Sequence, residues 1–177
     1  MADKRQLYLL RHGKAQRSTA IRDFDRSLAP RGRKDVPRIA GCAVDRDLVP
    51  ELVLCSPAAR TRETAELFCE SLPKPPDIAY VDTLYLASAE EILDNVAAAP
   101  EECRSLMVVG HNMGLQDLSM KLAGKTFPHD SLPTGTLAVF EVDAPNWSKI
   151  DRKNCRLIDF LRPKALRANK KGKHPEL

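Results

Sequence analysis

The sequence predicts an α/β protein with a three-layer α/β/α architecture. A mainly parallel sheet carries helices on both faces and ends in an antiparallel C-terminal strand pair. Short, continuously apolar runs alternate along the chain with segments whose apolar residues recur at helical spacing. This alternation favours parallel strands joined by helices. Near the C-terminus, strand-like residues 136–142 and 155–161 are separated by a segment too short for a crossover helix, which favours antiparallel pairing.

The composition is that of one globular domain. The chain has 177 residues, of which 43% are hydrophobic and 29% charged. We expect a single domain over residues 1–163, followed over residues 164–177 by a basic tail whose low apolar content predicts mobility. The tail holds five basic residues and one acidic residue, so it accounts for the whole formal charge of +4. The formally neutral domain argues against a built-in nucleic-acid-binding face.

Cysteine usage and hydropathy indicate the cellular environment. The five cysteines are odd in number, widely spaced and without a Cys-x-x-Cys pair. This pattern is typical of a reduced protein and argues against a structural zinc site. The N-terminus leads directly into a strand-like run too short for a signal peptide, and no apolar run approaches the length of a membrane span. We therefore expect a cytoplasmic protein without a membrane partner.

The first predicted strand, residues 6–10, is followed by three residues that suit ligand binding or catalysis. Arg11 offers a planar, permanently charged fork that suits phosphate or carboxylate. His12 can act as a nucleophile or a proton carrier near neutral pH. Gly13 allows a tight turn or a close approach to a ligand. Open α/β folds bind ligands at the carboxyl edge of the sheet, where these residues are expected.

The remaining elements follow in regular order. A polar loop over residues 16–29 precedes helix 30–46, strand 52–55, helix 58–72, strand 78–81, helix 89–98, strand 105–109 and helix 114–122. In the loop, Asp23 and Asp25 alternate with arginines and are interpreted as a solvated surface network. Ser18, seven residues after Arg11, is a candidate for reaching back to a bound anion.

The second strand is also followed by a candidate anion ligand. Ser56 is predicted to be a helix N-cap, with Pro57 in the first helical turn. Arg60 then lies in the first turn, where free backbone amides and the positive dipole end favour an anion. Arg62 points away from Arg60 on a helix and is expected to be exposed.

A third buried strand, residues 105–109, delivers His111 to its carboxyl end. Since parallel strands end at the same edge, Arg11, His12, Arg60 and His111 are expected to form one pocket for a phosphoryl group. No acidic cluster suitable for Mg²⁺ and no phosphate-binding P-loop accompany them, so a kinase or ATPase is disfavoured and neither a metal nor a cofactor is expected.

Three segments resemble the signature segments of the histidine phosphatase (phosphoglycerate-mutase-like) superfamily. They are Leu9-Leu10-Arg11-His12-Gly13, Ser56-Pro57-x-x-Arg60-x-x-x-Thr64-Ala65 and Val109-Gly110-His111-Asn112. The resemblance extends from about residue 7 to residue 160. The short chain, the Leu28-x-Pro30-x-Gly32 segment and the Leu132-Pro133-Thr134-Gly135 segment most resemble the small SixA-type phosphohistidine phosphatases.

The resemblance implies a metal-independent phosphatase. His12 would attack phosphorus and become a phosphohistidine, which water then hydrolyses. Its second ring nitrogen would donate to a backbone carbonyl. Arg11, Arg60 and a protonated His111 would bind the non-bridging oxygens. Ser18 stands where many members have an asparagine, which makes it a candidate phosphate contact.

One departure from the family pattern concerns the general acid. Many members carry a glutamate after the third strand that protonates the leaving oxygen, but residues 84–88 contain no acid. Asp82, Glu90 and Glu91 are left as open alternatives, the two glutamates being expected to face solvent. A missing acid handicaps alkyl phosphates and matters less for phosphohistidine, whose imidazole can leave already protonated. The expected substrate is therefore phosphohistidine in a partner protein.

Several alternatives stay open at this point. The chain could be a small-molecule phosphatase with the same mechanism and a phosphorylated metabolite as substrate. A phosphoglycerate mutase is less favoured because extra segments and the acid are lacking. A phosphoprotein-binding module without turnover would not need the nucleophile His12. A nucleic-acid-binding function would depend on the basic tail.

Overall fold

The computed structural model describes residues 4–169, and the structural statements below concern these residues. The strands are β1 (Arg5–Arg11), β2 (Leu52–Cys55), β3 (Asp77–Tyr80), β4 (Ser105–Gly110), β5 (Leu137–Val142) and β6 (Cys155–Leu161). The helices are α1 (Pro30–Val44), α2 (Ala59–Glu70), α3 (Ala89–Ala97), α4 (Gly114–Ala123) and α5 (Pro163–Asn169). No helix in this part of the chain is long and apolar enough to cross a membrane.

The strands form one sheet in the order β3-β2-β4-β1-β5-β6. The first four in this order pair in parallel, whereas β5 runs antiparallel to both β1 and β6. The predicted mainly parallel sheet with an antiparallel C-terminal pair is therefore confirmed. In the centre, Arg11 at the end of β1 is in register with Gly110 at the end of β4. The residues that follow these two strands consequently lie side by side at one edge.

Successive side chains along the strands point to opposite faces of the sheet, and this divides the core into two layers. On β1, Leu7 and Leu9 belong to the cluster that includes the buried faces of α3 and α4. Tyr8 and Leu10 belong to the cluster that includes the buried faces of α1 and α2. Because successive side chains of a strand point to opposite faces, an apolar run of this kind needs a helix layer on each side. This arrangement confirms the predicted three layers.

The loops that follow β3 and β4 are in direct contact. A Cβ atom on Gly114, the first residue of α4, would overlap the carbonyl oxygen of Ala87. Only glycine permits this approach of the two backbones. The contact brings the segment after β3 to the edge where β1, β2 and β4 end.

The first part of the basic tail predicted from residue 164 onward is helical in the structure. Pro163–Asn169 forms α5, which packs against α1. Nη1 of Arg167 donates a hydrogen bond to Oδ2 of Asp35 over 2.6 Å, and the carboxylate of Asp35 is buried in α1. A buried carboxylate needs a partner of opposite charge, and composition alone does not reveal this pairing. Residues 170–177, the rest of the predicted tail, lie outside the described residues.

Candidate active site

A cavity of about 330 Å³ opens at the carboxyl edge of the sheet. Arg11, His12, Arg60 and His111 all line it, so the structure brings the four predicted residues together. The other lining residues are Lys14, Ala15, Arg17, Asp23, Arg26, Leu86, Asn112 and Thr134. Five of the twelve are arginine or lysine, which makes the cavity suitable for a dianionic phosphoryl group.

His12 presents an unprotonated nitrogen to this cavity. Its Nδ1 lies 2.7 Å from the carbonyl oxygen of Gly13, which can only accept, so Nδ1 carries the proton. This hydrogen bond confirms the expected backbone partner and leaves the lone pair on Nε2. Burial lowers the pKa of His12 to about 3, so the ring is neutral near pH 7. A neutral imidazole with an unprotonated Nε2 is in the protonation state required for nucleophilic attack.

The turn after β1 is fixed to α2 through one threonine. The N–H of Gly13 donates to Oγ1 of Thr64 over 3.0 Å, and Oγ1 in turn donates to the carbonyl oxygen of Arg60 over 2.7 Å. Thr64 is completely buried, so water cannot replace either bond. These two bonds set the position of the His12 loop relative to the first turn of α2.

Arg60 lies between the two histidines. Its Nε donates to Nε2 of His12 over 3.3 Å, and its Nη2 lies 3.2 Å from Nδ1 of His111. As predicted, Arg60 belongs to the first turn of α2, and only 3% of it is exposed. Arg62 is exposed, as expected, and stacks over the ring of Tyr80. The guanidinium of Arg60 is therefore positioned to contact a group bound near both imidazoles.

Ser56 is not the N-cap that the sequence predicts. The helix begins three residues later, and Oγ of Ser56 lies 2.7 Å from Nε2 of His111. Arg60 can only donate to Nδ1 of His111, so the proton of the neutral ring is on Nε2 and Ser56 accepts it. The position of Ser56 at the end of β2 was the available signal for this role, because β2 and β4 are neighbours and their ends meet.

The surroundings of His111 favour its neutral form. Burial and, secondarily, the positive charge of Arg60 lower the pKa of His111 to about 4. The imidazole is therefore neutral in the ligand-free protein rather than protonated. Its Nδ1 faces Arg60, and this nitrogen can take up a proton when a dianion enters the cavity.

Asp23 is a component of the site that sequence reasoning missed. Its Oδ2 accepts from Nη2 of Arg60 over 3.0 Å and from the hydroxyl of Tyr85 over 2.7 Å, while Oδ1 accepts from Arg26. The hydrogen bonds from Tyr85 and Arg26 hold the pKa of Asp23 well below its usual range. Asp25, its neighbour, pairs with Arg22 at the surface as expected. Both acids lie between arginines in a polar loop. The sequence therefore does not distinguish the acid that joins the site from the acid that pairs at the surface.

Arg11 offers an unused donor. Its Nη1 donates to the carbonyl oxygen of Leu132 over 2.9 Å, whereas its buried Nε has no hydrogen-bond partner within residues 4–169. Burial and the positive charge of Arg60 lower the pKa of Arg11, which stays a cation. Asn112 also donates to Leu132, so both lining side chains are anchored on one carbonyl group. A buried donor without a partner is costly, and a phosphoryl oxygen would satisfy it.

Ser18 is not brought into the cavity. Its Oγ accepts from the backbone N–H of Ala20 over 3.2 Å, and Ser18 is not among the residues that line the cavity. Arg17, Asp23 and Arg26 are the residues of this loop that line the cavity. In this structure Ser18 therefore does not reach the cavity in which a phosphoryl group would bind.

The three open alternatives for a general acid also lie outside the cavity. Glu91 caps α3 by accepting from the backbone N–H of Ser88 over 2.7 Å, and Glu90 lies 3.9 Å from Lys121. Asp82 is exposed and does not line the cavity. Leu86 lines the cavity in the segment where the family pattern predicts an acid. Within residues 4–169 no cluster of three or more histidine, cysteine or acidic side chains could hold a metal ion.

Comparisons with known proteins agree with this geometry. The family model of the histidine phosphatase superfamily (branch 1) matches residues 7–81. A crystal structure from Agrobacterium tumefaciens, assigned as the phosphohistidine phosphatase SixA, is 36% identical with a TM-score of 0.77, over 90% of this chain and 98% of that chain. A structure assigned as SixA from Nakamurella multipartitia is 29% identical with a TM-score of 0.77, over 90% of this chain and 96% of that chain.

Curated sequences also include proteins that are similar to this chain over most of its length. An uncharacterized protein of Mycobacterium leprae is 28% identical over 151 residues, which are 81% of this chain and 91% of that protein. The likeness to the Agrobacterium structure covers nearly the full length of both chains at 36% identity. The chain therefore belongs to the histidine phosphatase superfamily, in its SixA type, and is a phosphoric-ester or phosphoramidate hydrolase.

Proposed function

We propose that this enzyme removes the phosphoryl group from phosphohistidine in a protein, through a covalent intermediate on His12. The supporting observation is that Asp23 is the only carboxylic acid among the residues that line the cavity. Hydrogen bonds from Tyr85 and Arg26 keep the pKa of Asp23 low, so it has no proton to donate near neutral pH. An alkoxide leaving group needs such a proton, whereas an imidazole that is already protonated on its other nitrogen leaves as a neutral ring.

The first chemical step forms a bond between Nε2 of His12 and phosphorus. The bond between phosphorus and the substrate nitrogen breaks, and its electron pair returns to the substrate imidazole. Phosphorylated His12 then carries a proton on Nδ1 and the phosphoryl group on Nε2, so its ring is formally a cation. The carbonyl oxygen of Gly13, 2.7 Å from Nδ1, stabilises this cation.

The second step is hydrolysis of this intermediate. A water oxygen attacks phosphorus, the bond to Nε2 breaks, and the ring of His12 returns to its neutral form. The water proton leaves with inorganic phosphate or passes to solvent. Because the phosphorylated ring is a cation, it departs as a neutral imidazole and needs no further acid.

Three side chains would stabilise the charge of the transferring group. Arg11 offers its unpartnered Nε, and Arg60 offers the Nε and Nη2 groups that contact the two histidines in the ligand-free protein. His111 would take a proton on Nδ1 as the dianion enters, because nearby negative charge raises the pKa of an imidazole. Donors fixed before the reaction are effective because they need little reorganisation.

Hydrolysis of three substrates in the presence of a chelator tests the proposal. The substrates are a phosphohistidine protein, p-nitrophenyl phosphate and glycerol phosphate. We expect the wild-type enzyme to cleave the first two and to act poorly on glycerol phosphate. His12→Ala should lose all activity, and an alkaline quench should trap phosphohistidine in the wild type alone.

A control variant is His129→Ala, which removes a histidine that does not line the cavity and should retain activity. Robust turnover of glycerol phosphate with none of phosphohistidine would favour a small-molecule phosphatase. Activity that survives in His12→Ala would exclude His12 as the nucleophile. Inactivity of the wild type towards all three substrates would favour a binding module.

A further inference from the structure

A second cavity, of about 230 Å³, lies beside the active-site cavity and shares Lys14 and Thr134 with it. Its other lining residues come from α1, the loop before β5 and the start of α5: Arg31, Asp35, Pro133, Arg162, Pro163, Lys164 and Arg167. Five of the nine lining residues are basic and one is acidic. This cavity, here called the basic cavity, has no role in the chemistry described above.

The charges of the basic cavity are only partly compensated. Asp35 is buried, and its Oδ2 lies 2.6 Å from Nη1 of Arg167 and 3.6 Å from Nε of Arg31. These contacts show that the cavity already accommodates one carboxylate between two arginines. Within residues 4–169 the side chains of the other three cations, Lys14, Arg162 and Lys164, form no ion pair. The cavity therefore has positive charge in excess and space for a further anion.

A single layer of backbone separates the basic cavity from the nucleophile. The N–H of Gly135 donates to the carbonyl oxygen of His12 over 2.8 Å. A Cβ atom on Gly135 would lie 3.1 Å from Cγ of Pro163 and 3.9 Å from Cα of Gly13. Gly135 therefore lies between the start of α5 and the turn that carries His12. Because the two cavities share Lys14 and Thr134, the basic cavity is within reach of side chains that flank a phosphohistidine bound in the active-site cavity.

We propose that the basic cavity is a subsite for carboxylate side chains next to the phosphohistidine of the substrate protein. The proposal rests on the proposed function and specifies the substrate: a histidine with glutamate or aspartate beside it. Arg17 adds a further positive charge at the adjoining active-site cavity. Opposite charges of this kind select partners and increase association rates.

Two phosphohistidine peptides that differ only in their flanking residues test the subsite. One carries glutamates beside the phosphohistidine, and the other carries glutamines. The wild-type enzyme is expected to cleave the acidic peptide with a kcat/KM about tenfold higher, mainly through a lower KM, and the preference should decrease at high salt. In the double variant Arg162→Gln/Lys164→Gln the preference should fall to about twofold or less.

A matched control is Lys74→Gln, which removes an exposed positive charge beside β3 at the opposite edge of the sheet. This variant is expected to keep the full preference for the acidic peptide. Equal cleavage of the two peptides by the wild type would overturn the proposal. An equal loss of preference in Lys74→Gln would also overturn it, because the effect would then reflect net charge alone.

A binding measurement separates the subsite from the proposed function. Fluorescein-labelled, unphosphorylated versions of both peptides are titrated with the wild type and the double variant, and anisotropy is recorded. If neither phosphohistidine peptide is cleaved, the proposed function fails, but selective binding of the acidic peptide that the double variant loses would still support the subsite. Tighter binding of a single-stranded oligonucleotide than of the acidic peptide, dependent on the same two side chains, would overturn the proposal in favour of nucleic acid.

Discussion

Nε of Arg60 donates a hydrogen bond to Nε2 of His12 over 3.3 Å, so this cation covers the lone pair that would attack phosphorus in the proposed mechanism. The same guanidinium contacts His111 and two oxygens of Asp23. These groups occupy donors that phosphoryl oxygens would use. Substrate binding is therefore an exchange of hydrogen-bond partners around Arg60.

This exchange makes the shape of the guanidinium important as well as its charge. In Arg60→Lys, one ammonium group replaces a planar fork that contacts three residues at once, so the contacts cannot all be kept. We expect kcat/KM to fall about 100- to 1000-fold, as when a preorganised donor is lost at an oxyanion site. Steady-state kinetics with p-nitrophenyl phosphate measure the loss.

Arg62→Lys is the matched control for this experiment. Arg62 is two residues further along α2, is exposed, and stacks on Tyr80 away from the cavity. Its replacement should change kcat/KM less than about twofold, as is usual for surface substitutions away from a site. Similar losses in the two variants would contradict the specific role of Arg60.

The two buried histidines make stability depend on pH. Burial lowers the pKa of His12 to about 3 and that of His111 to about 4, both below the ordinary value of 6.5. Below pH 6.5 the unfolded chain binds protons that the folded chain excludes, so the free energy of unfolding decreases as the pH falls. Between pH 6.5 and 5, each histidine should contribute a loss of up to about 2 kcal/mol.

Urea unfolding at pH 7 and pH 5 measures this dependence. His12→Gln and His111→Gln should each lose about half of the histidine contribution, and the double variant should lose nearly all of it. His129→Gln, outside the cavity, should keep the wild-type pH dependence. An unchanged slope in the double variant would mean that other groups determine the acid sensitivity.

The candidate active-site pocket was predictable because the strand ends determine it. Parallel strands place their carboxyl ends at one edge, so Arg11, His12, Arg60 and His111 had to meet once three strands were recognised. The mainly parallel sheet followed from the same alternation of strands and helices. These inferences need only the periodicity of the sequence and the direction of the strands.

The residues that escaped prediction are joined by contacts between distant segments. Asp23 meets Tyr85, 62 positions later, because the loops after β1 and β3 converge, and neither loop has a periodic pattern. Ser56 had two competing partners, the amide groups of α2 and the imidazole of His111. The start of α2 three residues later decided between them. The helix α5 depends on the pairing of Arg167 with a carboxylate 132 positions earlier.

The contact between Ser56 and His111 supports a third prediction. Both side chains are buried, so Ser56→Ala leaves the Nε2–H group of His111 without an acceptor. We expect a loss of about 1–3 kcal/mol in the free energy of unfolding and a decrease in kcat of about tenfold as the ring loses its fixed orientation. Urea unfolding and steady-state kinetics measure the two effects.

The control for Ser56→Ala is a buried serine outside the site. Oγ of Ser119 donates to the carbonyl oxygen of Leu115 over 2.7 Å in α4. Ser119→Ala should lower stability without a comparable change in kcat. If both variants lost kcat in proportion to stability, the effect of Ser56 would be structural only.

The ionised state of Asp23 gives the most direct test of the missing acid. Asp23→Asn removes a negative charge that competes with phosphate for Arg60 but removes no available proton. We expect kcat for phosphohistidine, and the low kcat for glycerol phosphate, whose leaving group needs a proton, both to stay within about tenfold of the wild type. The inhibition constant of inorganic phosphate should decrease severalfold.

Asp25→Asn, on the same short helical turn but paired with Arg22 at the surface, should leave both quantities unchanged. A general acid contributes about 100- to 10,000-fold to a rate, so a loss of this size in Asp23→Asn would assign proton donation to Asp23. The preference for leaving groups that need no acid would then lose its structural basis. Tighter binding of phosphate with nearly unchanged turnover would instead establish Asp23 as the resting counterion of Arg60.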